Sequence, residues 1–225
     1  MSNLFATKVE DGWGGFEYTI KPFGYATMIV LLILLLIAIA TMSQKSKKSS
    51  FNTKQLVFAA ISMALAMVTS YIKLFEAPMG GSVTLCSMLF ITLIGYWYGP
   101  RVGLTSACAY GLLQLIVEPY VISIPQILID YIFAFGALGL SGLFSNRKYG
   151  LLKGYLLGIF GRFLFNTLSG VIFFASYAPE GMNPLLYSMG YNGAYIGAEG
   201  IITIIILLIP QVYSAFNLVK KFALE

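Results

Sequence analysis

Asp130 stands alone as an anion within a run of apolar residues, Ile124–Phe144, with Gln126 four positions before it and Tyr131 beside it. A carboxylate at membrane depth is costly, so it normally faces a cavity or a partner. Paired with Arg162 or Lys73 it is structural; facing a hollow, it holds a cationic or amino-bearing solute. Glu199, in the outer half of the last long apolar segment, poses the same question and fits a pocket or its rim equally well. Asn166 is polar within an apolar helix and must find a partner on another helix or on a ligand. Arg162, one turn before it, has a stem long enough to snorkel to the inner interface. Phe174, Tyr177, Tyr187, Tyr191, Asn192 and Tyr195 gather around one loop. Aromatics near a membrane boundary commonly form an interfacial belt. Alternating with amide and acidic groups, these also suit a pocket for a flat cationic ring, held by stacking and cation–π contact.

The elements that must position these groups are membrane-spanning helices. Of 225 residues, 58% are hydrophobic and 10% charged, far from the composition of a soluble domain. Residues 1–22 are polar. Phe23–Met42 is apolar and long enough to cross about 30 Å of hydrocarbon. Its positive charges follow the apolar run and no small-residue cleavage site comes after it, so it reads as a retained leading helix and not a signal peptide. Ser43–Lys54 is a basic linker. A six-helix core over 55–216 follows, with crossings at 55–73, 83–98, 102–117, 125–144, 152–176 and 184–215, and a tail at 217–225.

Lys45, Lys47, Lys48, Lys54, Arg101, Arg147, Lys148, Lys153, Lys220 and Lys221 all fall between or after alternate crossings. Excess cations mark the cytoplasmic side, which predicts an N-terminus outside, a C-terminus in the cytoplasm and a multi-pass protein of the cell membrane. The same pattern accounts for the net charge of +5 without a nucleic-acid partner. There is no histidine, which removes the commonest metal ligand and general base. Cys86 and Cys108 lack metal-ligand spacing and read as core residues.

Small residues recur at helical spacing: Ala60 with Ala64, Gly154 with Gly158, and Gly136, Gly139 and Gly142. Small side chains let helix backbones approach closely in lipid. They serve packing within this chain, or one such face, above all Ala60/Ala64, docks another membrane protein.

Several longer stretches carry a family likeness: PMGGSVTL (Pro78–Leu85), YGPRVGL, AYGLLQ, PQILIDYIFAFGALGLSGLF (Pro125–Phe144) and SGVIFFASYAPEGMNPLLYSMGYNGAY (Ser169–Tyr195). Together they resemble the thiamine-specific substrate-binding components of energy-coupling-factor transporters over roughly residues 55–215. The resemblance implies an all-α membrane protein, with six core helices and the leading helix as an addition. Such a protein captures thiamine from outside and works with a transmembrane coupling subunit and two cytoplasmic ATPases. It carries no cofactor of its own, and ATP is used by the partners. The family's acidic pyrimidine-binding residue maps onto Asp130, its tyrosines onto Tyr120 and Tyr131, its Y-S-x-x-x-N pattern onto Tyr187 and Asn192, and the aromatic of its FF pair onto Phe174. The coupling-subunit motif falls on Ala60 and Ala64. Asn166 stands where the family commonly has histidine, and it can hydrogen-bond without carrying charge.

The chain carries no GxxxxGK[ST] loop, so ATP hydrolysis would belong to another chain. An intramembrane enzyme is disfavoured by the lack of histidine, of a paired-aspartate metal motif and of a G-x-S-x-G elbow. A membrane scaffold, or a binding component for a different small cationic or heteroaromatic solute, is the alternative. Gly80 and Gly81 would let the Leu74–Ser82 loop hinge over the bound solute.

Overall fold

The computed structural model describes residues 6–10, 16–24, 26, 30 and 52–225. Most of the leading helix expected over Phe23–Met42 and of the linker over Ser43–Lys54 lies outside the described residues. Strand β1 (Ala6–Glu10) pairs antiparallel with β2 (Phe16–Ile20), Ala6 opposite Ile20.

Helix α1 (Thr53–Ser70) begins in a capping box. Asn52 Oδ1 accepts from Lys54 N at 3.3 Å, while Gln55 Oε1 accepts from Asn52 N at 3.1 Å, so donors left over at the helix start are satisfied. Its inward side is Ala59, Ser62, Ala66 and Ser70, a spacing of three to four that marks one helix face. A β-hairpin follows, β3 (Lys73–Glu76) and β4 (Ser82–Thr84), with a single 3-10 turn, Pro78–Gly80, at its tip. Helix α2 (Ser87–Tyr98) is therefore shorter than the crossing expected over 83–98. Its first residues are strand, and Cys86 sits in the left-handed region at φ 58°, where a right-handed helix cannot continue.

Helices α3 (Pro100–Val117), α4 (Ile124–Phe144), α5 (Gly150–Phe173) and α6 (Pro184–Leu207) complete the bundle. Among the described residues, four helices, α1, α4, α5 and α6, are long and apolar enough to cross a membrane. α4 is not uniform: it is π-helical over Leu128–Phe133 and 3-10 over Ala137–Phe144. The expected crossing 184–215 is two helices. α6 stops at Leu207, and α7 (Pro210–Leu224) starts at a proline, which has no N–H to continue the ladder. The expected tail, 217–225, lies mostly within α7. Asn217 accepts from Tyr96 OH at 2.9 Å, Ala223 O accepts from Tyr98 OH at 3.2 Å, and Lys220 Nζ donates to Ser145 O.

Small residues let the middle helices touch. A Cβ on Gly103 would lie 2.6 Å from Gly95 Cα and 2.7 Å from Gly139 O; one on Gly154 would lie 2.8 Å from Ser141 O. Gly158 meets Leu138 and Gly136 meets Cys108 in the same way. These glycines therefore pack α2, α3, α4 and α5 of this one chain. Gly103→Val is expected to force α3 from α4 and lower stability by about 3 kcal/mol, the upper part of the range for overpacking. A thermal melt in detergent reads this out.

Candidate ligand-binding pocket

A cavity of about 360 Å³ opens at the end of the bundle that carries the β3–β4 hairpin, a size suited to a small organic molecule. Asp130 borders it from the π-helical turn of α4. Such a turn widens the helix by one residue and is frequent at functional sites. Gln126, 1% exposed, sits one turn earlier. Its Nε2 donates to Asp130 Oδ2 at 2.7 Å and to Tyr120 O at 3.1 Å, while its Oε1 accepts from Ile122 N at 3.2 Å. One amide therefore fixes both the carboxylate and the loop leading into α4. The Ser169 hydroxyl and the Arg162 guanidinium are further polar neighbours of Asp130. Neither cation considered for an ion pair with Asp130 makes one: among the described residues, Lys73 bridges Glu76 and Glu118, and Arg162 forms none.

Flat side chains line the space beside this anion. Tyr120 stacks on Phe174 with ring centroids 5.8 Å apart at 25°. Tyr187 stacks on Tyr191 at 6.3 Å and 25°. The Tyr131 hydroxyl is committed elsewhere: it accepts from Tyr120 N at 2.8 Å and donates to Glu118 O at 3.0 Å, pinning the α3–α4 loop. Asn166 and Asn192 join α5 to α6 through Tyr195. Asn166 Nδ2 donates to the Tyr195 hydroxyl at 2.8 Å, which donates to Asn192 Oδ1 at 2.9 Å. Asn192 Nδ2 is in turn spent on Ser188 O at 2.9 Å. Asn166 Oδ1 is buried with no partner, an acceptor that a ligand N–H could satisfy.

Glu199 is 2% exposed, and its oxygens are filled. Oε2 accepts from Thr84 N at 3.0 Å and Thr84 Oγ1 at 2.6 Å; Oε1 accepts from Met88 N at 3.0 Å and Ser87 Oγ at 3.3 Å. An anion at the start of α2 meets the positive end of the helix and its unpaired N–H groups. The carboxylate thus ties α6 to the root of the hairpin.

At the cavity mouth, Lys73 Nζ lies 2.9 Å from Glu76 Oε1 and 3.0 Å from Glu118 Oε1. The hydrogen bond that Lys73 donates to Glu76, with help from Glu118, raises the Lys73 pKa above its ordinary value. The lysine therefore keeps its charge at neutral pH and loses it only as pH rises through that raised value.

A model of the family described as thiamine transporter protein (Thia_YuaJ) matches residues 56–218. The chain belongs to this family. It is 33% identical over 169 residues to the thiamine transporter ThiT of Bacillus subtilis (strain 168), covering 68% of this chain and 88% of that one. It is 28% identical over 196 residues to the thiamine transporter ThiT of Lacticaseibacillus paracasei, covering 76% and 94%. The solved structure of ThiT from Listeria monocytogenes superposes with a TM-score of 0.58 at 27% identity, covering 71% of this chain and 96% of that one. The all-helical membrane fold expected from the sequence is the fold of this thiamine transporter family.

Within that fold, the eight residues singled out for the pocket, Asp130, Tyr131, Tyr120, Asn166, Phe174, Tyr187, Asn192 and Glu199, all border the one cavity. Gly80 and Gly81 lie in the hairpin above it. Gly80 has φ +88°, but Gly81 has ordinary φ and is required by space: a Cβ there would lie 2.6 Å from Tyr191 OH. Ala60 and Ala64 are away from the cavity, exposed on the outward side of α1 beside Ile61 and Leu65.

Arg162 is not at the inner interface. It borders the cavity, with its guanidinium 4.2 Å from the Phe135 ring centre and Nε buried without a partner. Twelve residues into α5, it starts roughly 18 Å from the helix end, too deep to reach the headgroups. Gln126 and Tyr191 also border the cavity; the sequence places both among the neighbouring polar and aromatic groups without giving either a role of its own. The i,i+4 spacing of Gln126 with Asp130, and of Tyr191 with Tyr187, was the available signal.

Proposed function

We propose that this protein captures thiamine from outside the cell and delivers it as the substrate-binding subunit of an ATP-driven energy-coupling-factor transporter. The observation that carries the reading is Asp130: an anion held by Gln126, without an ion-pair partner among the described residues, against a cavity walled by stacked aromatics. Thiamine brings a permanently positive thiazolium and a flat aminopyrimidine. Its exocyclic amine is a donor for Asp130, and Asn166 Oδ1 is a second acceptor within the same cavity. The rings match the Tyr120–Phe174 and Tyr187 faces.

The hairpin end of the bundle faces outward in this reading, since the cationic clusters lie at the opposite loops. The chain holds no cofactor; two ATPases in the cytoplasm consume ATP, and a transmembrane coupling subunit docks on the small-residue face at Ala60 and Ala64.

Calorimetric titration of the purified full chain with thiamine, its phosphates and its pyrimidine half is the test. Saturable thiamine binding supports the reading. Absence of binding to all of them, in a protein that melts cooperatively, overturns it in favour of another heteroaromatic cation or a scaffold.

A further inference from the structure

We infer that Tyr191 is the latch that holds the β3–β4 hairpin down over the cavity, and that ligand occupancy reaches this latch through Tyr187. The inference rests on the thiamine reading only for the ligand that tests it.

The foot of the hairpin is fixed. Leu85 N donates to Ile72 O at 3.1 Å, and Thr84 is held twice by Glu199. The tip is a different matter. Its turn closes on itself through Ala77 N to Gly81 O at 2.7 Å, with Met79 and Gly80 consecutively in the left-handed region. Among the described residues, the hydrogen bonds between this tip and the helices both run to one atom. The Tyr191 hydroxyl donates to Pro78 O and accepts from Gly81 N at 3.0 Å.

The phenol that makes these bonds is seated between two side chains bordering the ligand space. It stacks on Tyr187 and meets Tyr195 edge-on, with centroids 5.6 Å apart. Tyr195 is in turn bonded to Asn166 and Asn192. A molecule filling the cavity confines Tyr187 and Tyr195, which confines the Tyr191 ring in the orientation that reaches the tip. With the cavity empty, the ring regains freedom and the two bonds to the tip loosen. The other tie, Lys73 to Glu118, lies at the foot and is partly exposed; a pair of this kind holds weakly in water. Closure is thus an equilibrium of the tip, biased by what lies beneath it.

Tyr191→Phe deletes the hydroxyl and keeps the ring and its stacking. With radiolabelled thiamine on the full chain, dissociation is expected to accelerate at least about tenfold, with association changed less than about twofold, the split expected for a lost closing contact. In ligand-free protein, amide exchange at residues 77–82 is expected to rise while exchange in α2 and α6 stays as in the wild type. Gly81→Ala leaves the hydroxyl but drives a methyl into it, and is expected to reproduce both changes if the first variant folds poorly. Unchanged dissociation, or equal exchange at 77–82 in wild type and variant, overturns the latch. Should the wild-type chain not bind thiamine, the function proposed above falls, and the exchange comparison alone decides the latch.

Discussion

Asp130→Asn is expected to weaken thiamine binding about a hundredfold while leaving the ligand-free melting temperature almost unchanged. The substitution preserves shape, and the new amide oxygen can still accept from Gln126 Nε2, which now donates to Oδ2 at 2.7 Å. The loop held by Gln126 through Tyr120 O and Ile122 N therefore survives. What disappears is the negative charge. A hydrogen bond to an ionised group contributes about 1.5–3 kcal/mol, and about 2.7 kcal/mol corresponds to a hundredfold in affinity. Asp130→Glu keeps the charge on a longer arm and is expected to retain part of the binding. Calorimetry on the three proteins is the measurement. A loss of less than threefold in Asp130→Asn would remove this carboxylate from the binding site.

The residue types that build the pocket were legible in the sequence because lipid leaves few reasons for them. An acid, two amides and a group of tyrosines within apolar helices stand out against their background. Their grouping into one cavity follows from helix packing; the small-residue spacing of Gly136, Gly139, Gly142, Gly154 and Gly158 was visible, while which helices these glycines join is seen only in the folded chain. Direction was harder to read. Arg162 read as a cation that snorkels to the inner interface, and only the rotation of α5 decides that it turns to Phe135 instead.

The π-helical turn that carries Asp130 leaves no mark in the sequence pattern, since one added residue per turn changes no side chain. Pro210, by contrast, was a visible stop signal inside the segment taken as one long crossing, and an apolar run on both sides masked it. Nor could the hairpin be read from sequence. Its strands are three and four residues long and owe their place to long-range bonds, from Glu199 and Tyr191, more than a hundred residues away in the chain.

Glu199 is expected to behave in the opposite way to Asp130, although both acids border the same cavity. Glu199→Gln should lower stability by about 3 kcal/mol, the scale of leaving a buried polar group unpaired, or roughly 6–12 °C in melting temperature for a chain of this size. The reason lies in the donors. Two backbone N–H groups point at different oxygens of the carboxylate, Thr84 N at Oε2 and Met88 N at Oε1, each 3.0 Å away. Hydroxyls such as those of Thr84 and Ser87 can rotate to accept from an amide, but a backbone N–H cannot. Whichever way glutamine turns, its NH₂ faces one of these donors and leaves it buried and unpaired. Thermal melts of the wild type, Glu199→Gln and Asp130→Asn in the same detergent separate the two roles. A Glu199→Gln protein melting within 2 °C of the wild type would mean that the root of the hairpin is held by something other than this carboxylate.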